Sequence, residues 1–169
     1  MNEKKFARIF LIFLIVFLAT KFVSIPMNGS GYIHLGDTFM LVSGVFVGGI
    51  YGAIASSIAM ALVDLSSGYA VYVLATFVIK FVQVLMVTKL FENITTRYPV
   101  RSVPVLFFIV AIASSLSTIL GYFIFELLVV NKSVAFSNIS YNVFQSVSSA
   151  FLASLIIIPV MNVKKELGN

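Results

Sequence analysis

The chain has 169 residues, of which 60% are hydrophobic and only 10% charged, and its mean hydropathy is +1.10. Soluble domains carry about 25% charged residues, so a water-exposed fold is excluded and lipid is the fitting solvent. The absence of cysteine and the single histidine exclude disulfides, thiolate chemistry and a multi-histidine metal site, and no cofactor is expected.

In lipid every backbone polar group must pair internally, which leaves helices or closed barrels. Barrel strands alternate apolar and polar residues. The run Phe10–Ala19 is continuously apolar, and an all-α bundle of six membrane-spanning helices is predicted. The first helix covers about 6–23. Lys4, Lys5 and Arg8 precede it as in a signal peptide, but the run is long and Ala19-Thr20-Lys21 is a poor cleavage site. It reads as an uncleaved first span.

Ser24–Gly31 holds Pro26, Asn28, Gly29 and Gly31, a loop signature. The next stretch has 26 uncharged residues between Asp37 and Asp64. That is too many for one untilted span. A glycine turn around Gly48, Gly49 and Gly52 predicts two short helices, 37–49 and 51–65; one long tilted helix is the alternative. Three further helices follow, at 69–91, 105–129 and 138–161. The polar stretch Glu92–Arg101 and the loop Val130–Ser137 separate them. The whole chain, 1–169, reads as a single transmembrane domain.

Six spans put both termini on one side. With the termini cytoplasmic, that side carries Lys4, Lys5, Arg8, Lys89, Arg97, Arg101, Lys164 and Lys165, against Lys21 and Lys132 outside. The positive-inside rule favours this orientation. The first outer loop, Ser24–Gly36, is then the natural lid of a site open to the outside.

Polar groups at membrane depth are expensive and need a reason. Lys80 lies mid-segment, and steps of three and four residues join it to Tyr69, Tyr72, Thr76 and Gln83 on one face. Two readings stand for Lys80: a buried pair with an aspartate that fixes helix packing, or an ammonium that touches a ligand. Asn138, Asn142, Gln145 and Ser149 form a similar face in the last segment. Carboxamides both donate and accept, which suits a neutral heterocycle as well as interhelical bonding; Asn138 also suits a helix start. Asp37 suits a helix N-terminus, with His34 just before it as a pairing or ligand group. Asp64 is placed to balance Lys80, cap a helix or touch substrate. Tyr72 and Phe77 are candidate ring contacts. Gly44, Gly48 and Gly52 recur every four residues, a spacing that serves packing inside the bundle or docking of another membrane subunit. No Gly-rich phosphate loop ending in Gly-Lys-Ser/Thr occurs, so ATP hydrolysis by that route is not expected.

Four pieces carry a resemblance: Tyr32-Ile33-His34-Leu35-Gly36-Asp37, Gly48-Gly49-Ile50-Tyr51-Gly52-Ala53, Asp64-Leu65-Ser66-Ser67-Gly68-Tyr69 and Ala75-Thr76-Phe77-Val78-Ile79-Lys80. With Tyr141-Asn142-Val143-Phe144-Gln145 they are similar to the substrate-binding S components of energy-coupling factor (ECF) transporters. The nearest branch is the hydroxymethylpyrimidine/pyridoxine type, related to riboflavin S components. The resemblance implies six helices, a small vitamin bound near the outer face under a first-loop lid, and a bacterial plasma-membrane setting. It also implies a transmembrane T component and two ABC-type ATPases as partners, and release by toppling within the membrane. Many members dock through small residues four apart on the first helix, whereas here Ala7 and Ala19 are twelve apart. Candidate substrate residues are therefore His34, Asp37, Asp64, Tyr72, Thr76, Lys80, Asn142 and Gln145, with Gly44, Gly48 and Gly52 for docking. A stand-alone proton-coupled transporter is the competing function.

Overall fold

The structure, a computed structural model, describes residues 3–26, 32–95 and 97–167. Six helices account for most of them. They are α1 (Glu3–Phe22), α2 (Gly36–Val47), α3 (Gly49–Ser66), α4 (Val73–Thr95), α5 (Val103–Phe125) and α6 (Lys132–Glu166). A 3-10 turn, Ala70–Tyr72, leads into α4, another, Val100–Ser102, leads into α5, and a π turn, Glu126–Val130, ends α5. Four of these stretches are long and apolar enough to cross a bilayer: Gly49–Ser66, Ala70–Thr95, Val100–Val130 and Lys132–Glu166. Helix α1 has the length, at 20 residues, but opens with Glu3, Lys4, Lys5 and Arg8.

Helix α2 is the exception that shapes the rest. Its 12 residues rise about 18 Å, well short of a hydrocarbon core of about 30 Å. All but Phe39 are buried. A helix apolar all round belongs inside, and α2 contacts α1, α3, α4 and α6. The other helices turn large side chains outward. On α3 the ridge Ile50, Ile54, Ile58 and Leu62 is exposed while Ala53, Ala55, Ser56, Ala59 and Met60 are buried. Lipid is as apolar as these side chains, so association rests on close packing of small residues and on interhelical hydrogen bonds.

The break between α2 and α3 is one residue, Gly48, at φ 98° and ψ 141°. Only glycine adopts this conformation without strain. The predicted turn across 48–52 is therefore tighter than expected, and Gly52 lies within α3. Of the expected docking glycines, Gly44 and Gly52 face inward, whereas Gly48 is partly exposed at the helix break. A Cβ on Gly44 would stand 1.9 Å from Thr88 Oγ1, and one on Gly52 would stand 2.6 Å from the Ser43–Gly44 backbone. They bring α2 against α4 and α3, which leaves no small-residue stripe for a partner at this place.

Other boundaries also moved. The expected loop Val130–Ser137 is mostly helix. Only Asn131 interrupts it, and its side chain accepts from Val134 N at 2.9 Å as the N-cap of α6. Asn138 thus lies inside α6 and does not start it. The loop Ser24–Gly36 contains a ribbon: β1 (Ser24–Pro26) pairs antiparallel with β2 (Tyr32–His34) in the register Ser24↔His34, Ile25↔Ile33, Pro26↔Tyr32. Its middle, 27–31, lies outside the described residues. Lys21 secures the same end of the bundle, donating to Ser66 O at 3.0 Å and Ser67 Oγ at 2.8 Å, where a cation suits the C-terminus of α3.

Gly52→Ala is expected to lower stability by about 1–3 kcal/mol through overpacking, read as a fall in melting temperature in detergent. Ile58→Ala, on the outer face of the same helix, should stay within about 0.5 kcal/mol. Equal melting of the two variants would contradict the packing described for α2 and α3.

Candidate functional site

Because α2 is short, the bundle is hollow beyond its N-terminus. The ends of α1 and α3, the starts of α4 and α6, the end of α5 and strand β2 surround a cavity there. It offers about 80 Å³ to the centres of water-sized molecules. One water needs about 10–15 Å³ of such space, so the scale is a small cluster of waters or one small ring. The eight substrate residues expected from the sequence, His34, Asp37, Asp64, Tyr72, Thr76, Lys80, Asn142 and Gln145, all line this cavity.

The floor is an ion pair. Lys80 Nζ donates to Asp37 Oδ2 at 2.8 Å, and both side chains are only 4% exposed. Asp37 lies in the first turn of α2, but Leu35 is the N-cap residue and no side chain caps the helix. The expected capping carboxylate is instead the counter-ion of Lys80. Asp64 does not pair with Lys80; its Oδ1 accepts from Tyr32 Oη at 2.7 Å, which ties the hairpin to α3.

Gln145 has each polar atom of its carboxamide bonded within the protein. Oε1 accepts from His34 N at 2.9 Å, and Nε2 donates to His34 O at 2.7 Å, Asp37 Oδ2 at 3.3 Å and Ser149 Oγ at 3.0 Å. It holds β2 as a neighbouring strand would. Its role is to position the hairpin and the ion pair. Gln83, on the Lys80 stripe, lies deeper: it donates to Ser115 Oγ at 3.0 Å and accepts from Thr118 Oγ1, joining α4 to α5.

Tyrosines form the walls. Ring centroids run Tyr32–Tyr69 at 5.6 Å, Tyr69–Tyr72 at 6.4 Å and Tyr72–Tyr122 at 6.4 Å, spacings at which aromatic rings attract. Thr76 Oγ1 and Tyr122 Oη share a hydrogen bond of 2.9 Å. Phe77 is not in the wall; it stacks on Phe81 at 5.9 Å. Glu126 was missed as a site residue. Its Oε1 accepts from Asn138 Nδ2 at 2.7 Å and from Tyr72 Oη at 3.3 Å. Thr118, Tyr122 and Glu126 recur every four residues on α5, the same signal that singled out α4 and α6. Tyr69, on the Lys80 stripe, stands just before the 3-10 turn, while Tyr32 sits on the hairpin, where helical periodicity gives no signal.

Among the described residues, Asp37 Oδ1, His34 Nδ1 and Glu126 Oε2 are buried without a hydrogen-bond partner. Such a group costs about 1–3 kcal/mol, and all three residues line the cavity. Burial pushes the His34 imidazole down to about 4, with Lys80 adding to the effect and Asp37 opposing it. The ring is neutral at pH 7, and one of its nitrogens is an acceptor.

The molecule is a membrane-spanning helical bundle with a polar cavity under a hairpin at one end. Residues 2–163 match the family described as the ECF-type riboflavin transporter, S component, and the chain belongs to that family. It is a substrate-binding membrane subunit of the ECF vitamin transporters, and so a transport component and not an enzyme. The fold is similar to a solved structure described as "Structure and mechanism of the S component of a bacterial ECF transporter", with a TM-score of 0.70, 18% identity, and coverage of 96% of this chain and 98% of that one. No curated protein sequence matches the chain.

Gln145→Ala should leave the bundle folded and speed hydrogen exchange at the His34 amide about tenfold, the loss of roughly one hydrogen bond. Unchanged exchange there, measured by NMR or mass spectrometry, would remove Gln145 from its place as the anchor of the hairpin.

Proposed function

We propose that this subunit captures a single-ring heterocyclic vitamin or precursor, with hydroxymethylpyrimidine or pyridoxine favoured. The observation that carries the reading is the size and lining of the cavity. It is scaled to one ring, walled by tyrosines, and edged by Lys80, Asp37, His34 and Asn142. Riboflavin, with three fused rings and a ribityl chain, is large for it. The cavity holds Asp37, Asp64 and Glu126 against the single cation Lys80, an environment that disfavours phosphorylated forms of either vitamin.

In this reading the vitamin stacks against Tyr72, and Thr76 and Asn142 meet its ring edge. His34 closes over it from the hairpin, while Lys80 sets the orientation of Asp37 beneath. Asp64 holds Tyr32, and through it the hairpin, over the bound ring. The subunit sits in a bacterial plasma membrane with both termini cytoplasmic. The cavity end of the bundle carries Lys21 and Lys132, and the opposite end carries the other surface cations, as the positive-inside rule requires. Energy comes from partners, a transmembrane T component and two ABC-type ATPases. With Gly44 and Gly52 packed inward, the T component meets bulkier side chains than a small-residue stripe.

Calorimetry on the purified chain should show hydroxymethylpyrimidine or pyridoxine binding more tightly than riboflavin and than either phosphorylated form. Asn142→Ala should weaken binding about tenfold, the worth of one hydrogen bond, without lowering the melting temperature. Tighter binding of riboflavin, or equal affinity in the variant, would reject the reading. Uptake into vesicles that lack ATPases, abolished by an uncoupler, would favour the proton-coupled alternative.

A further inference from the structure

Glu126 is 2% exposed and lies in the π turn that ends α5. Such turns insert an extra residue and recur at functional sites. One of its oxygens is occupied by Asn138 and Tyr72, while Oε2 is buried, unpartnered among the described residues, and part of the cavity lining. Asp37 Oδ1 is in the same condition on another element.

None of the donors nearby reaches Glu126 Oε2 or Asp37 Oδ1 among the described residues. Lys80 donates to Asp37, Tyr32 to Asp64, Tyr72 and Asn138 to Glu126, and the Gln145 amide to His34, Asp37 and Ser149. These two oxygens are acceptors left to satisfy. A molecule that satisfies them supplies N–H or O–H groups, and one that offers only an acceptor there meets a carboxylate oxygen.

We infer that Glu126 is a specificity-determining residue that selects heterocycles bearing an N–H or O–H donor on a ring substituent, and that it rejects analogues with an acceptor or a methyl group at that position. The inference rests on the proposed function. Sites built to hydrogen-bond one substrate group reject analogues lacking it far more strongly than apolar pockets reject a missing methylene.

Matched probes test it on the purified full-length chain. One pair is 4-amino-5-hydroxymethyl-2-methylpyrimidine and its 4-oxo counterpart; the other is pyridoxine and 4-deoxypyridoxine. In the unaltered protein the donor-bearing member of the pair that binds should be at least about 100-fold tighter. Glu126→Gln keeps the shape and an oxygen for Tyr72, but can itself donate. It should cut the preference at least about tenfold, lowering the affinity of the amino or hydroxyl probe and sparing or raising that of its partner. Equal affinities within each pair in the unaltered protein would overturn the inference while leaving vitamin capture intact. So would a variant that weakens both members by the same factor. If no member of either pair binds, the proposed function fails and the inference with it.

Discussion

The contact between Lys80 and Asp37 organises this molecule. Two buried ions in a bilayer are tolerated only when they meet each other with good geometry, because desolvation costs several kcal/mol per ion. The pair joins the first turn of α2 to α4, and Gln145 extends it to α6 and β2 through Asp37 Oδ2 and the His34 backbone. Four elements thus converge on one carboxylate. Its second oxygen, Oδ1, has no partner among the described residues. The pair is at once a structural brace and the floor of the cavity; of the two readings of Lys80 open at the level of sequence, the buried pair is the one on view, and contact with a ligand belongs to the proposed function.

The hollow follows from the length of α2. A central helix of 12 residues cannot fill a bundle whose outer helices have 18 to 35. Gly48 ends it abruptly, Gly44 and Gly52 let α4 and α3 close on it, and the space beyond its N-terminus is left to polar side chains from α1, α3, α4, α5, α6 and β2. Strand β2 covers that space. Its hold is local and polar: Tyr32 to Asp64, and Gln145 to the His34 backbone. The Tyr32 ring also packs on Tyr69 at 5.6 Å.

Much of this was legible in the residues. The apolar runs gave six helices because lipid permits little else, and the polar stripes of segments four and six gave the cavity because lipid would reject them. The Gly48 break was visible as a glycine cluster, though its single-residue extent depends on a backbone angle that composition does not encode. Asn131 as the cap of α6 was hidden by the polarity of Val130–Ser137, which reads as a loop until the side chain is seen accepting from Val134. The assignment of Asp37 to Lys80 and of Asp64 to Tyr32 could not be chosen from spacing, since both aspartates fall near the same end of the bundle. The stripe Thr118, Tyr122 and Glu126 carried the right period, yet a lone carboxylate in an apolar segment gave no hint that a π turn directs it at the cavity.

The buried pair sets the geometry of the cavity floor. Replacing both members together, Lys80→Met with Asp37→Leu, removes the charges without leaving either one unpaired, so the fold should survive; such replacements are often neutral or stabilising. The direct measurement is vitamin affinity of this double variant by calorimetry, alongside its melting temperature. The expected result is a folded protein, melting near or above the unaltered one, that has lost at least about 100-fold in affinity, equivalent to roughly two hydrogen bonds to charged groups. A folded double variant that binds the vitamin as tightly as before would contradict it.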